Sequence, residues 1–235
     1  MIVTELSPRS LDTIDIDADR DAARAWIAAR YGSAEAETVR LNMITSLTGS
    51  AVGGDGTSET LTGGADRLIL SAIRAAADAV IVGAQTVRAE SYLLPRSATL
   101  AVVTRSGSLE GLRVSDEASQ RLIVLCPASR TEQVEASVAH PSAEVVGLPA
   151  DETTPQQIVD ALRDRGLRRL VCEGGPSLAR QFAESGIIDE YCITVAPALT
   201  PADHPFLGIN DAVETEIAGH LVDDTGFTYL RLRAR

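Results

Sequence analysis

The sequence contains no lysine, and its 21 basic side chains other than histidine are all arginines. Schiff-base catalysis and the phosphate-binding loop that ends in Gly-Lys-Ser/Thr are therefore excluded. Acidic residues number 33, so the formal net charge is −12. A chain this acidic repels phosphate backbones, which argues against a nucleic-acid partner. A phosphorylated small molecule is still permitted, because local arginines can reverse the local field.

Aromatic residues and cysteines are scarce. Aromatics make up 3% of a chain that is 45% hydrophobic, so we expect a core built from Ala, Val, Leu and Ile. The three cysteines, Cys126, Cys172 and Cys192, each lie in or at the end of an apolar run. They form no Cys-x-x-Cys pair, so we expect buried thiols, no metal site and a reducing, cytoplasmic setting.

Long apolar segments are also lacking. No apolar run approaches the ~18 residues that are needed to span a membrane. The stretch from Met1 to Asp17 is acidic and has no apolar core, so it does not resemble a signal peptide. We therefore expect a cytoplasmic protein without a membrane partner.

The chain instead alternates short apolar runs with segments of helical periodicity. Runs closed by glycine or proline are typical of strands that a parallel sheet buries on both faces. The pattern predicts one α/β domain over residues 1–235, with a mostly parallel sheet, a C-terminal antiparallel hairpin at its edge and a loose lead-in over residues 1–18. The predicted strands are 39–47, 79–82, 100–103, 122–125, 144–146, 169–173, 191–195, 213–222 and 226–234. The predicted helices are 19–31, 66–77, 129–139, 155–165 and 176–185.

One stretch, residues 171–178, reads as a strand, a glycine turn and the start of a helix. Gly174 and Gly175 follow the strand, and Pro176 stands where a helix has its first residue. Such a junction offers free backbone N–H groups and the positive end of a helix dipole. We expect the two glycines to cradle the diphosphate of a dinucleotide. The alternative is a tight turn that binds nothing.

Two further loops follow predicted parallel strands, where open α/β sheets bind their ligands. One carries Gly83 and Thr86, and the other carries Thr104, Arg105 and Ser106. A guanidinium between two hydroxyls suits a phosphate monoester, so Arg105 is expected on a 2′-phosphate, which favours NADP over NAD. The alternative for each loop is an ordinary connection. The Gly-x-Gly-x-x-Gly fingerprint is absent, which argues against a standard dehydrogenase domain.

Several motifs together resemble the reductase domain of riboflavin biosynthesis. They lie within 41–88 and 169–199, in matching order and spacing. The matching pieces are Ser46-Leu47-x-Gly49, the helix end Arg74 to Asp78, Val80-Ile81-Val82-Gly83-Ala84-x-Thr86-Val87-Arg88, Glu173-Gly174-Gly175-Pro176-Ser177-Leu178, Asp189-Glu190 and Pro197-Ala198-Leu199.

The resemblance implies a dihydrofolate-reductase-like fold, a three-layer α/β/α arrangement around a mixed, mostly parallel sheet. It also implies an enzyme that uses NADPH to reduce the ribosyl group of 5-amino-6-(5-phosphoribosylamino)uracil. The family tends to form dimers through sheet edges or C-terminal strands, for which the apolar tail from Phe227 to Leu232 could serve.

The same resemblance assigns site residues. Thr104, Arg105 and Ser106 stand where the family meets the adenosine phosphate. Asn42, Ser46, Thr48 and Ser58 are implied to face the substrate. The remaining residues implied to line the cofactor are Gly83, Thr86, Glu173, Gly174, Gly175, Ser177 and Leu178.

One position departs from the family pattern. The family usually has Ser-Leu-Asp-Gly, whereas this chain has Thr48 in the place of the aspartate. The aspartate is a plausible acid or substrate anchor, and threonine cannot donate a proton at neutral pH as a carboxylic acid does. Asp55, Glu59 or water are open as replacements, and the catalytic acid stays unassigned.

Three hypotheses follow from this departure. The first is an NADPH-dependent pyrimidine reductase of riboflavin synthesis. The second is a relative that reduces a pterin or dihydrofolate-like ring with the same cofactor. The third is a dinucleotide-binding regulatory protein that has lost catalysis.

Overall fold

The computed structural model describes residues 1–7, 11–32, 35–90, 97–111, 121–138, 143–149 and 153–235. Residue 139, at the end of a predicted helix, and residues 8–10 of the predicted lead-in lie outside the described residues. The strands are β1 (Ile2–Ser7), β2 (Thr13–Asp15), β3 (Thr38–Ser46), β4 (Ala79–Gly83), β5 (Thr99–Val103), β6 (Leu122–Pro127), β7 (Ala143–Leu148), β8 (Arg169–Cys172), β9 (Glu190–Ala196), β10 (Thr215–Asp223) and β11 (Thr228–Ala234). The helices are α1 (Arg20–Tyr31), α2 (Asp66–Ala75), α3 (Ala84–Glu90), α4 (Thr131–Ser137), α5 (Pro155–Arg163) and α6 (Pro176–Glu184), and a 3-10 turn at Ala128–Arg130 precedes α4.

All strands of the described residues form one sheet, in the order β2-β1-β10-β11-β9-β3-β8-β4-β5-β6-β7. The strands from β9 to β7 in this order run parallel to one another. The strands β2, β1, β10 and β11 pair antiparallel, and β11 is also antiparallel to β9. The predicted mixed, mostly parallel sheet is therefore confirmed.

Helices cover both faces of this sheet. On one face, side chains of α1 to α4 pack with alternate residues of the strands, such as Val80, Val82 and Val171. On the other face, α5 and α6 pack on the intervening residues, such as Ile81 and Cys172. This alternation follows from the two-residue period of a strand. The expected three-layer α/β/α arrangement is confirmed.

The prediction of a loose lead-in over residues 1–18 is wrong for the residues that the structure describes, because β1 and β2 extend the sheet there. The sequence of β1 does not reveal its buried face, because Ile2 and Leu6 are exposed whereas Glu5 is buried. Val3 and Glu5 both point to the core, and the Glu5 carboxylate accepts a hydrogen bond of 2.9 Å from the Arg30 side chain of α1. An arginine partner makes burial of this carboxylate possible.

The C-terminal hairpin forms as predicted, but it does not lie at the edge of the sheet. Strand β1 covers the outer side of β10, and β11 lies between β10 and β9. The structure also has the helix α3 where the sequence predicted only a turn after Gly83. The helical periodicity of α3 is weak in the sequence because, among its described side chains, just Ala84 and Val87 are buried. Among the helices of the described residues, none combines the length and apolar character that a membrane crossing requires.

Candidate functional site

The strands β3, β8, β4 and β5 are parallel neighbours, so their carboxyl ends meet at one edge of the sheet. The site residues predicted from the sequence lie at or just beyond the ends of these strands, with three exceptions. Asn42 and Ser46 belong to β3 itself, and Ser58 lies further along the segment between β3 and α2. Of the others, Gly83 ends β4, Thr86 lies in α3, Ser177 and Leu178 lie in the first turn of α6, and the rest are in loops. The chain therefore brings these residues together at the place where open α/β sheets bind ligands.

Gly174 is held tightly between two neighbouring strand ends. Its φ is +81°, a conformation that side chains disfavour, and a Cβ on it would lie 2.8 Å from the Met43 sulfur. Its carbonyl accepts a hydrogen bond of 2.8 Å from the Gly83 N–H. Gly174 is buried, so its role in the described structure is to let the ends of β4 and β8 approach each other closely.

Gly175 is bonded to the loop after β4. Its N–H donates to the Thr86 hydroxyl oxygen at 2.9 Å, and a Cβ on Gly175 would lie 2.5 Å from that oxygen. The amide of Gly175 is thus already occupied. Helix α6 begins with Pro176, and its next amides, on Ser177 and Leu178, have no hydrogen-bond partner among the described residues. These two N–H groups are the ones that an α-helix leaves open for an anion.

In the loop after β5, two of the three predicted residues are open to solvent. Thr104 is buried, and its hydroxyl donates to the Ser108 carbonyl at 3.3 Å, so it shapes the loop. Ser106 is exposed and accepts a hydrogen bond of 3.3 Å from the Ser108 N–H. The Arg105 side chain is exposed and makes no ion pair with a described residue.

Two more arginines lie against the same loop. Arg88 of α3 donates to the Ser108 carbonyl at 3.3 Å, and the Arg130 side chain lies 3.1 Å from the position of a Cβ on Gly107. Like Arg105, both are exposed and have no ion pair within the described part of the chain. Three arginine side chains that form no ion pair with a described residue therefore lie at this loop, on a protein of net charge −12.

Glu173 does not offer a free carboxylate to a cofactor. The Arg74 side chain of α2 donates two hydrogen bonds to it, of 2.8 and 2.6 Å, and the Glu173 side chain is buried. Such a bidentate pair is strong and geometrically specific. It fastens α2 to the end of β8.

The Thr48 hydroxyl is fully engaged within the protein. It donates to the Thr200 carbonyl at 2.6 Å, accepts from the Thr200 N–H at 3.1 Å and lies 2.8 Å from the Ser46 hydroxyl oxygen. The Ser46 oxygen also accepts hydrogen bonds from the Thr200 hydroxyl and the Ser50 N–H. Thr48 and Ser46 therefore tie the turn after β3 to the segment after β9.

Asp55 is bound by the threonines of its own loop. Its oxygens accept hydrogen bonds from the Thr57 N–H at 2.9 Å and from the hydroxyls of Thr57 and Thr60, each at 2.8 Å. The hydrogen bond from the Thr57 backbone and those from the threonine hydroxyls lower the pKa of Asp55. Asp55 is thus ionised at neutral pH and carries no proton to donate. Ser58 follows in the same loop, and its carbonyl accepts from the Leu61 and Thr62 amides.

The surface over the central strand β3 is partly open to solvent, and it is called the cleft over β3 below. Every residue of β3 is buried except Asn42 and Ile44, although strands flank it on both sides. Residues two apart in a strand point to the same face, and Cys192, opposite Asn42, packs in the core on the α2 side. The predicted substrate residue Asn42 therefore lies in a partly open position below α2.

Sequence reasoning missed Asp66, which lies at this cleft. Asp66 is the first residue of α2, and its carboxyl is hydrogen-bonded to Thr194 of β9. Burial raises the pKa of Asp66, and the negative charge of Glu173 raises it further. An aspartate in the first turn of a helix is the ordinary choice for the helix dipole, so its position in the sequence does not mark Asp66 as a site residue.

A cavity of about 460 Å³ lies elsewhere, between α6 and the ends of β10 and β11. Carboxylates line it, including Glu184, Asp211 and Glu214, and they oppose the binding of a phosphorylated molecule. The described residues contain no group of three or more His, Cys, Asp or Glu side chains arranged to hold a metal ion.

Comparison with known sequences now identifies the family. Residues 37–227 match the RibD C-terminal domain. The chain belongs to the RibD C-terminal domain family. The riboflavin biosynthesis protein RibD of Mycobacterium tuberculosis is 32% identical over 177 residues, which are 75% of this chain and 46% of that protein. The chain thus spans about half the length of the curated relatives it matches.

Solved structures share the fold of this RibD C-terminal domain. A pyrimidine reductase-like protein from Corynebacterium diphtheriae has a TM-score of 0.69 at 24% identity, over 89% of this chain and 98% of that chain. A diaminohydroxyphosphoribosylaminopyrimidine deaminase/5-amino-6-(5-phosphoribosylamino)uracil reductase from Thermotoga maritima has a TM-score of 0.69 at 20% identity, over 85% of this chain and 57% of that chain. The fold class that the sequence resemblance implied, dihydrofolate-reductase-like, is confirmed.

Proposed function

We propose that the protein is an NADPH-dependent reductase of riboflavin biosynthesis that transfers hydride to the ribosyl group of 5-amino-6-(5-phosphoribosylamino)uracil 5′-phosphate. One observation carries this proposal: two helix amides without a hydrogen-bond partner and three arginines without an ion pair, counted over the described residues, share the sheet edge next to the partly exposed part of β3. Membership of the RibD C-terminal domain family supports it.

The residues at the sheet edge fit a phosphorylated dinucleotide. The Ser177 and Leu178 amides would bind the diphosphate. Gly175 comes just before this turn of helix, and its N–H donates a hydrogen bond to the Thr86 hydroxyl oxygen. Arg105, with Ser106, would bind the 2′-phosphate that distinguishes NADPH from NADH. When bound, the reduced nicotinamide supplies the hydride. The protein would hold the nicotinamide close to the acceptor carbon of the substrate, and this positioning provides most of the catalytic effect of such a site.

The substrate would occupy the cleft over β3. Asn42 would face it from the floor of the cleft, with Ser58 in the loop above. Thr48 and Ser46 would form its wall through their bonds to Thr200, since their hydroxyls are already engaged. Thr48 is therefore a shaping residue in this proposal, and neither it nor Asp55 supplies a proton.

A second substrate class, the dihydrofolate or pterin ring, is supported by one observation. The acid that the family carries at position 48 is missing, while another acid, Asp66 at the start of α2, is hydrogen-bonded to Thr194 of β9, next to β3. A different position for the acid suits a heterocycle held in a different orientation. The third possibility, a regulatory protein that binds NADPH without catalysis, is an outcome of the same assay.

We also propose a cytoplasmic homodimer. One face of β1, β10 and β11 exposes apolar side chains, including Leu6 at 37% and Ile217 at 57%. Exposed apolar side chains on neighbouring strands are a feature that a dimer interface would cover. The expected pairing through the tail from Phe227 to Leu232 cannot use a free strand edge, because β11 is paired on both sides. A dimer would therefore form through the face of these strands.

The assay is loss of NADPH absorbance with each substrate in turn. Oxidation with the phosphoribosylaminouracil supports the first proposal, and oxidation with dihydrofolate alone supports the second. Tight NADPH binding without oxidation of either substrate supports the regulatory protein. Failure to bind NADPH contradicts all three.

A further inference from the structure

The cavity between α6 and the ends of β10 and β11 lies at the edge of the sheet opposite to the proposed cofactor site. Its lining includes Tyr191, the second residue of β9, whereas the proposed site lies beyond the carboxyl ends of the parallel strands. Its volume is about 460 Å³. Small-molecule sites usually measure roughly 300–1,000 Å³. Ile188, Val213 and Ala234 contribute apolar wall, so the cavity suits a small molecule with an apolar part.

Tyr191 brings a polar group without a protein partner to this cavity. The residue is 4% exposed, and its hydroxyl makes no hydrogen bond with a described residue. The hydroxyl oxygen is not fully enclosed by protein atoms, so it is open to the cavity that Tyr191 lines. Burial raises the pKa of Tyr191, so the phenol is neutral at physiological pH. Buried hydroxyls normally have a partner, which an occupant of the cavity would supply.

The end of helix α6 gives one side of the cavity a negative field. The helices α1, α2, α3 and α5 each have an arginine in the last turn, whereas α6 has no basic residue there and ends at Glu184. The C-terminal end of a helix dipole is negative, and Glu184 adds a like charge to it. One Glu184 oxygen is held in place by the backbone and side-chain N–H groups of Asn210, at 3.1 and 2.8 Å.

Two further carboxylates line the cavity from the segment before β10. The side chains of Asp211 and Glu214 form no ion pair or hydrogen bond with a described residue. Arg235 also lines the cavity, but its Nε lies 3.9 Å from a carboxylate oxygen of Glu216. The lining therefore carries three carboxylates and one guanidinium, and its net charge attracts a cation.

We propose that this cavity binds a small organic cation, a primary ammonium group on a short apolar body. The acceptors come from three separate elements: Tyr191 from β9, Glu184 from α6, and Asp211 and Glu214 from the segment before β10. The three N–H donors of an ammonium group diverge and can reach acceptors on different walls, whereas those of a guanidinium lie in one plane. The cavity is remote from the cofactor edge, so cation binding here does not depend on the proposed function.

The test uses two probes of equal size, benzylamine, which is an ammonium at neutral pH, and the uncharged benzyl alcohol. Each is titrated into the full 15N-labelled chain and followed by NMR. The wild type should bind benzylamine with a Kd below about 1 mM, and at least about tenfold more tightly than benzyl alcohol. The largest shifts should occur at the amides of Gly186 and Ala212, which line the cavity.

Two variants test the acceptors. Tyr191→Phe removes just the hydroxyl and should weaken benzylamine binding by about threefold or more. Asp211→Asn combined with Glu214→Gln removes two exposed charges and should lower the preference for benzylamine by about threefold or more. The matched control is Glu132→Gln, an exposed residue of α4 outside the cavity, which should keep the wild-type preference.

Four outcomes would overturn the inference: no binding of benzylamine, equal binding of the two probes, shifts centred away from the cavity, or an unchanged preference in the Asp211 and Glu214 double variant. If Tyr191→Phe does not fold, the double variant decides, because its two positions are exposed. The titrations need neither NADPH nor substrate. A protein that fails to oxidise NADPH would therefore contradict the proposed function and leave the benzylamine result standing.

Discussion

The Thr86 hydroxyl oxygen accepts a hydrogen bond from the Gly175 N–H, and this bond joins helix α3 to the turn before α6. This contact explains why a threonine follows Gly83 by three residues and why a glycine precedes Pro176. A Cβ on Gly175 would lie 2.5 Å from the same oxygen. The sequence predicted that both residues belong to one site. It could not show that they bind each other, because contacts between distant loops leave no local pattern.

Thr86→Val removes the acceptor of the Gly175 N–H, whereas Thr86→Ser keeps it. Leaving this amide unsatisfied should cost about 1–3 kcal/mol and displace the start of α6. We expect a lower midpoint of thermal unfolding and weaker NADPH binding for Thr86→Val, by titration of cofactor fluorescence. Thr86→Ser should behave as the wild type. Equal NADPH affinity in all three proteins would show that Thr86 does not position the cofactor site.

Thr48 has a structural task, so its removal should affect stability before it affects proton transfer. Thr48→Val loses the bonds to Thr200 and Ser46, which should lower the free energy of unfolding by about 1 kcal/mol. Thr48→Ser keeps the hydroxyl and should restore stability. Urea unfolding of the three proteins measures this effect. A stability equal to wild type in Thr48→Val would mean that the Thr48 bonds contribute nothing.

Elements built from apolar runs could be predicted, and those built from charged contacts could not. The strands β4, β5 and β6 each contain a continuous run of four residues drawn from Ala, Val, Leu and Ile, and such runs were recognised in the sequence. Strand β1 was missed because its buried face includes Glu5, whose partner Arg30 lies 25 residues away. The period of a strand is visible only when the inward residues are apolar.

Removing residues 1–15 tests the role of β1 and β2 as elements of the sheet. Strand β1 pairs with β10, so its loss exposes the backbone groups of β10. Exposed strand edges promote association between chains. We expect the truncated protein to aggregate on heating at a lower temperature than the wild type, as measured by light scattering. A truncated protein as monodisperse and stable as the full chain would show that these strands are dispensable.

Asp78 links α2 and β4 to the start of β8. Burial alone would raise its pKa, but hydrogen bonds from the Arg169 side chain and from the Arg168 and Arg169 amides lower it to about 2. Because the pKa of Asp78 is lower in the folded than in the unfolded chain, its contribution to stability is present above the ordinary value of 3.8 and is lost as pH falls toward 2.

Asp78→Asn should therefore be less stable than the wild type at pH 7, by about 1 kcal/mol after allowance for solvent screening of the exposed Arg169. The two proteins should converge in stability near the folded pKa of about 2. Urea unfolding at a series of pH values measures this difference. A difference that stays constant with pH would show that the charge of Asp78 is not responsible.

At the scale of the whole molecule, the charge at the sheet edge that carries the site differs from the net charge of the protein. The protein as a whole is strongly acidic, yet the edge that carries the site has three arginines, Arg88, Arg105 and Arg130, that form no ion pair within the described residues. Arg105 could be predicted because it directly follows a recognisable strand. Arg88 and Arg130 could not, because they reach the loop from α3 and from the turn before α4. A local positive field of this kind suits one phosphorylated ligand and not an extended polyanion.

The central claim is that the sheet edge binds NADPH with Arg105 on its 2′-phosphate. The most direct measurement is the dissociation constants of NADPH and NADH for the wild type, Arg105→Ala and Arg121→Ala. Arg121 is an equally exposed arginine at the amino end of β6, on the opposite edge. We predict that Arg105→Ala weakens NADPH by roughly 10- to 100-fold with little change for NADH, and that Arg121→Ala changes neither. Equal losses for both cofactors in Arg105→Ala, or a wild type that binds neither, would contradict the account.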